Sequence, residues 1–386
     1  MIKRLLVRNF LSLKEIEIGL RQRNVLVGPN MSGKSNVVEC LRFLNAICLV
    51  GARQAILDRD GFHEVLWKGK SDNRILIKLT ADISLDPELG SREYEYEISL
   101  LGSVTGAFVV ERELLTVATE HGKATLVNLR SGTGDLLDVT GSAVVRTPID
   151  QDKSALELNI PGWEATIFKT WVSLWHFYRL VPGLMRRYND AREQYFLNPT
   201  GDNFSAWLLT LQTKHRPEFE RLRQVAVNAL PGLEDIFAPP TQLGTTFVST
   251  REKHLNRPVS LWRMSDGELV FLALLSLIFA PAGLGSPVIC IEEPENHLHP
   301  KLIETLIEMY NQRRAELGER AAQVLITTHS PYVIDRMALE DLIVLQRRDG
   351  ATLCVSPSTK DHLKQLVASE ELGLGDLWYS GALSEP

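Results

Sequence analysis

The chain contains no stretch of about 18 apolar residues free of charge, so no membrane-spanning helix is expected. Its four cysteines, Cys40, Cys48, Cys290 and Cys354, form no C-x-x-C pair. Three of them lie in apolar runs, where buried free thiols are the usual case, and this usage fits a cytoplasmic compartment. Nor is there a basic excess. The net charge is −6, so composition gives no argument for nucleic acid, although a local basic groove stays open. Internal repeats, low-complexity tracts and long heptad runs are all missing, which sets aside solenoids and an extended coiled coil. The N-terminus, Met1 to Arg8, carries charge inside its apolar run and has no small-residue cleavage site. It reads as a strand rather than a signal peptide.

What is present is an ordinary globular composition spread over 386 residues. At roughly 100–200 residues per domain this allows two domains, or one with a large insertion. Such a length buries a full core without disulfides or structural metals.

Short apolar runs at Ile2–Val7 and Leu13–Ile18 open the chain, and a third, Asn24–Val27, leads into a glycine loop. Beyond the loop, Val37, Cys40, Leu41, Leu44, Ile47 and Cys48 recur at helical spacing. From about 73 to 128 the pattern changes to β-like runs separated by turn residues, which predicts an antiparallel sheet. Residues 158–236 read as helical. After 241 strands and helices alternate: an apolar helix over Ser265–Phe279, strands at Val288–Ile291, Val324–Thr327 and Leu342–Leu345, and an amphipathic helix from Lys301 with Pro300 at its start. Alternation of this kind argues for a mainly parallel sheet wrapped by helices. The expected division is a lobe at 1–150 with the loop and the antiparallel subdomain, a helical lid insertion at 151–240, and a second lobe at 241–386.

The loop is Gly28-Pro29-Asn30-Met31-Ser32-Gly33-Lys34-Ser35, with Asn36 following. In the pattern G-x-x-x-x-G-K-[ST], backbone N–H groups turn inward as a nest around phosphate oxygens. Lys34 would reach the β- and γ-phosphates, Ser35 would place a hydroxyl on Mg²⁺, and the helix start would add partial positive charge. Asn30, Ser32, Gly33, Lys34, Ser35 and Asn36 are therefore the expected ATP contacts. The plainer reading is a chance match in a glycine turn; the strand before and the helix after weigh against it.

A second anchor is the apolar strand ending in Glu292-Glu293-Pro294. Acids at a strand end reach the sheet edge where open α/β sheets bind ligands. Glu292 would sit in the Mg²⁺ shell, and Glu293 would act as general base on the attacking water. A solvated acidic strand end is the simpler alternative. Val324–Thr328 ends likewise, in His329, which would contact the γ-phosphate or orient Glu293. Ser265-Asp266-Gly267-Glu268 reads on its own as a capping box.

Together, in this order, these segments resemble the ABC-type ATPase heads of the SMC/RecF/OLD group. Met264–Leu269 is similar to that group's signature motif, and Glu292–Pro300 (EEPENHLHP) closely resembles the carboxylate and D-loop segment of OLD-like AAA family predicted ATPases. Gly201-Asp202-Asn203-Phe204 resembles the start of their lid helix, and Leu372–Leu383 their tail. The resemblance implies an α/β P-loop fold of ABC-head type. In such heads two subunits sandwich ATP between the phosphate loop of one and the signature, here Ser265 and Gly267, of the other.

The sequence departs from the pattern in four places. Met31 stands in the loop, Glu292 replaces an aspartate, Asp266 replaces a frequent glycine, and Gly61–Trp67 occupies the Q-loop place without a glutamine. The chain also ends soon after the histidine strand, so no Toprim nuclease domain is expected. The function implied is an ATP-hydrolysing switch that dimerises around ATP. It would control an anti-phage system with an effector nuclease or toxin in trans, or bind DNA directly as RecF-like repair ATPases do, or act as a scaffold with little turnover. For direct DNA contact the candidates are Arg179, Arg186, Arg187 and Arg192, otherwise a solvated helix face.

Overall fold

The computed structural model describes residues 1–70, 72–84, 90–103, 105–145, 148–281, 284, 286–359 and 373–384. Strands β1 (Ile2–Phe10), β2 (Leu13–Gly19) and β3 (Arg23–Val27) lead into helix α1 (Lys34–Val50), followed by α2 (Ala52–Leu57) and α3 (Phe62–Val65). Next come β4 (Arg74–Ile83), β5 (Arg92–Gly102), β6 (Phe108–Thr119), β7 (Gly122–Arg130), β8 (Thr133–Leu137) and β9 (Ala143–Val145). The middle of the chain forms α4 (Ala165–Ser173), β10 (His176–Tyr178), α5 (Pro182–Met185), β11 (Asn189–Asp190), α6 (Phe204–Lys214), α7 (Arg216–Ala229) and β12 (Leu233–Phe237). The remainder runs β13 (Thr245–Thr246), β14 (Ser249–Glu252), β15 (Val259–Ser260), α8 (Asp266–Ile278), β16 (Val288–Glu292), α9 (Pro300–Leu317), β17 (Gln323–Thr328), α10 (Pro331–Asp335), β18 (Leu342–Arg348), β19 (Ala351–Val355) and a last helix, Leu374–Tyr379.

Two large sheets organise these elements. One is antiparallel, in the order β2-β1-β4-β5-β6-β7-β8-β9. Its strands alternate: in β5, Tyr94, Tyr96 and Ile98 point to the buried face, and both tyrosine rings pack on Phe168 of α4. The other runs β10-β16-β17-β3-β18-β19, parallel except for β19. All five residues of β3 are buried, as a central parallel strand covered on both faces demands. Leu26 enters the core that holds α1 and α4, while Val25 and Val27 enter the core that holds α6 and α8. The apolar run of α8 is buried continuously from Leu269 to Ser276, because this helix lies inside the second core rather than at its surface.

The stretch 151–240, expected as a helical insertion, is more mixed. Its strand β10 pairs in parallel with β16 and forms an edge of the central sheet. Its three residues are too few to show a period, so no strand signal is legible there. Arg179, Arg186, Arg187 and Arg192, expected on a helix face, lie in connecting segments around α5 and β11. In the glycine-rich tail, Gly375 donates its N–H to Asp335 Oδ1 at 2.6 Å, and an added Cβ would meet that carboxylate. Leu372, the first residue of the tail resemblance, lies outside the described residues.

Candidate functional site

The register of the central sheet builds the site. Glu292 pairs with Thr327, and Thr327 and Thr328 pair with Leu26 and Val27. Three parallel strands therefore end abreast, and their C-terminal ends carry the glycine loop, the two glutamates and His329. This is the edge at which open parallel sheets bind ligands.

The loop is shaped by close packing. Gly33 has φ +104°, and a Cβ there would stand 2.1 Å from Thr352 Oγ1. At Gly28 an added Cβ would stand 2.3 Å from Ser32 Oγ and 2.5 Å from the Leu345 carbonyl. Met31 also takes positive φ, 67°, and is exposed at the loop tip. Lys34 is 6% exposed and donates from Nζ to the carbonyls of Gly28 (2.6 Å) and Pro29 (3.2 Å). Burial lowers the pKa of its ammonium, against the raising effect of Glu293 and Glu295. Asn30 and Ser35 are exposed on the loop. Asn36, expected at the nucleotide, donates to Ser12 Oγ at 2.6 Å. Ser12 Oγ lies 2.6 Å from Thr352 Oγ1, which donates to the Ser32 carbonyl at 3.1 Å. A small polar clamp thus fixes the loop from behind.

At the carboxylate strand, Glu292 is nearly buried, and its Oε1 accepts from Arg42 Nη2 of α1 at 2.9 Å. Glu293 has φ 47°, a conformation rare for a side chain of its size. It is held by its N–H, which donates to the Thr327 carbonyl (2.9 Å) and to Thr327 Oγ1 (3.2 Å). Asn296 Nδ2 donates to Glu293 Oε2 at 3.0 Å. His329 Nδ1 lies 3.8 Å from Glu293 Oε1 and 3.7 Å from Glu295 Oε1. Lys34, Glu292, Glu293 and His329 are therefore brought to one edge.

Ser265 and Gly267 lie at the start of α8. The capping box is formed: Ser265 Oγ accepts from Glu268 N at 3.2 Å, and Glu268 Oε2 accepts from Ser265 N at 2.6 Å. Asp266 pairs with Arg186 at 2.6 Å and with His297 Nδ1 at 3.5 Å. Gly267 is a point of close approach, since a Cβ there would stand 2.7 Å from the His297 carbonyl. Among the described residues no hydrogen bond or ion pair joins Ser265 or Gly267 to Gly28–Asn36. Arg186 also donates to the Met264 carbonyl at 2.8 Å, so it braces the signature helix instead of standing free for phosphates.

Sequence reasoning missed five contributors. Glu295 and Asn296 sit inside the EEPENHLHP segment and went unassigned. Arg42 looked like one more polar position of α1. Ser12 and Thr352 contact each other across 340 residues, a pairing no local pattern reveals. A cavity of about 770 Å³ beside α9 is walled by residues such as Leu274, Ile291, Ile326 and Tyr310, and none of Gly28–Asn36 lines it.

The fold and this edge define an ABC/SMC-like AAA ATPase head. A solved SMC head bound to the C-terminal winged-helix domain of ScpA superposes with a TM-score of 0.57 at 12% identity, over 92% of this chain and 97% of that one. A second SMC head, with an extended coiled coil and bound to the C-terminal domain of ScpA derived from Pyrococcus furiosus, gives 0.54 at 12% identity over 96% and 99%. At this identity the likeness concerns the fold. No curated protein sequence matches the chain. The chain belongs to the family described as "AAA domain, putative AbiEii toxin, Type IV TA system", whose model matches residues 23–335. Membership implies a nucleotide site, typically with Mg²⁺.

The residues present fit that ligand. Ser32 Oγ is buried without a hydrogen-bond partner, and the Lys34 ammonium rests on carbonyls that a phosphate would replace. Ser35 and Glu292 would hold Mg²⁺. Among the described residues no cluster of three or more acidic, histidine or cysteine side chains forms a cage for a metal. No helix among the described residues is long and apolar enough to cross a membrane.

Proposed function

We propose that this protein hydrolyses ATP in a site completed by a second copy of the chain. The observation that carries this reading is that one edge gathers Lys34, Ser35, Glu292, Glu293 and His329, while Ser265 is exposed at the start of α8 and, among the described residues, makes no bond to Gly28–Asn36. A helix N-terminus is an anion site, and one that carries the expected sequence suits the γ-phosphate held by a partner. Bound Mg²⁺ supplies charge neutralisation on the phosphate oxygens. Lys34 binds the phosphates, Ser35 and Glu292 hold the metal side, and Glu293 takes a proton from the attacking water. His329 stands beside Glu293 and the γ-phosphate position. Phosphoryl transfer needs mainly such positioning and charge.

A mixing experiment tests the shared site. Lys34→Ala and Ser265→Arg should each be inactive alone. In a mixture, heterodimers regain one intact site, so activity returns to roughly a quarter of the wild-type sites. No recovery on mixing, with both variants folded, rejects the two-subunit site.

We further read the ATPase as the sensor of a defence or toxin–antitoxin pair whose effector is a separate chain, acting in a cytoplasmic compartment. The wording of the matched family supports this, as does the engagement of Arg186 in the fold, which removes one of four residues considered for direct DNA contact. Co-purification with the product of an adjacent gene would support it. A DNA affinity that falls steeply with salt would favour a DNA-binding ATPase instead.

A further inference from the structure

Resting on that reading, we infer that Glu295 is a positioning residue that holds the His329 turn against Glu293. Three observations meet at its carboxylate. Its side chain is only 8% exposed. Oε1 accepts from the Thr328 hydroxyl at 2.6 Å and from the His329 N–H at 3.2 Å. Oε2 is buried with no hydrogen-bond partner.

The Thr328 hydroxyl in turn accepts from Ser330 N at 3.0 Å. Residues 328–330 are therefore tied on both sides of His329, and one end of the tie is Glu295. Glu293 is linked to the same strand end through Thr327. The turn bearing the base and the turn bearing the histidine thus share two bridges, Glu293 N to Thr327 and Thr328–His329 to Glu295. Removing the second bridge leaves the His329 turn held by the Ser330 N–H to Thr328 Oγ1 bond and by the strand that precedes it.

A buried carboxylate oxygen without a donor is costly, and such groups call for an explanation. The Glu295 charge also acts to raise the Lys34 pKa, against the lowering by burial. Glutamate in this position does not touch the reacting atoms. It fixes where the imidazole stands relative to Glu293, with His329 Nδ1 3.8 Å from Glu293 Oε1.

The test compares Glu295→Ala with Glu295→Gln in the full chain. Glutamine keeps one oxygen able to accept from both Thr328 and His329. Alanine should lower kcat for ATP by about 30–100-fold while KM stays within about 3-fold, as expected when a reacting group is misplaced by an ångström. Glutamine should recover most of that loss. The double variant Glu295→Ala/His329→Ala should be no more than about 3-fold worse than the poorer single variant, because both act through one histidine.

Wild-type kcat in a folded Glu295→Ala protein would overturn the inference. So would a glutamine variant as impaired as alanine, or losses that multiply in the double variant. Should Glu295→Ala not fold, Thr328→Val removes the donor from the other side and should lower kcat with KM retained; an unchanged kcat there also overturns it. The two ideas fail separately. A wild-type protein that releases no phosphate fails as an ATPase, whereas Glu295 is then read from the His329 ring resonance by NMR. That resonance, identified by its loss in His329→Asn, should move in Glu295→Ala and hold in Glu295→Gln. An unmoved signal in the alanine variant overturns the positioning role whatever the turnover.

Discussion

Arg42 Nη2 stands 2.9 Å from Glu292 Oε1, so the carboxylate expected on the metal already carries a cation from α1. Arg42 is further tied to Glu39, and its guanidinium lies over the Phe177 ring at 5.2 Å. Glu292 is 11% exposed, so its charge is poorly served by water and needs a partner.

Replacing Arg42 by methionine should therefore do two things. Stability should fall by about 1–3 kcal/mol, because a nearly buried carboxylate loses its counter-ion. The Mg²⁺ concentration for half-maximal ATP turnover should fall as well, since a competing cation is gone. Urea titration and a Mg²⁺ series of phosphate release check the two effects. A rise in the Mg²⁺ requirement would mean that Arg42 orients Glu292 rather than competes for it.

Lys34→Ala should weaken ATP binding by at least about 100-fold without lowering the stability of the unliganded protein. Its ammonium is buried and bonded only to loop carbonyls, so its removal relieves desolvation as it deletes those bonds. Isothermal titration and thermal unfolding measure the two quantities. A large drop in Tm without nucleotide would count against this account of the loop.

Gly267→Ala should cost about 1–3 kcal/mol and reduce turnover. Its φ is unremarkable; the obstacle is the His297 carbonyl 2.7 Å from the new methyl. The methyl pushes backbone rather than a flexible side chain, so the turn after Glu293 must shift. If alanine is tolerated at full stability and activity, the contact between the start of α8 and this turn is slack.

Acid sensitivity should come partly from His176. Burial holds its pKa down at about 4, between the Tyr178 and Phe196 rings. The folded pKa lies below the unfolded one, about 6.5, so the unfolded chain binds more protons between those values. This contribution to stability is complete above pH 6.5 and is lost as pH falls toward 4. His176→Phe should remove it, narrowing the loss between pH 7 and pH 5 by roughly 1–2 kcal/mol. Urea midpoints of both proteins at the two pH values test this.

Much of the site was legible in the sequence because its parts are local. A buried strand, a glycine loop and a helix are contiguous from Arg23 to Val50, and each acidic or histidine strand end follows its own apolar run. The same holds for Ser265, whose capping partner is three residues away. What could not be read were partners brought together by topology. Asn36 belongs to the loop motif yet bonds Ser12. Arg186 sits in a basic stretch yet braces Asp266. The strand His176–Tyr178 is too short to declare itself and is defined by pairing with β16.

By itself, then, the sequence determined the phosphate loop, the two strand-end motifs and the alternation that makes a parallel sheet. Short-range backbone geometry and hydrophobic period suffice for these. Only the tertiary structure decided that β17 lies between the carboxylate strand and the loop strand, because strand order depends on crossovers that no period records. It also decided that Arg42 meets Glu292, that Glu295 holds the His329 turn, and that Ser265 has no bond to its own phosphate loop. Those relationships depend on which faces and ends are packed together, and burial in two cores on opposite sides of one sheet sets them.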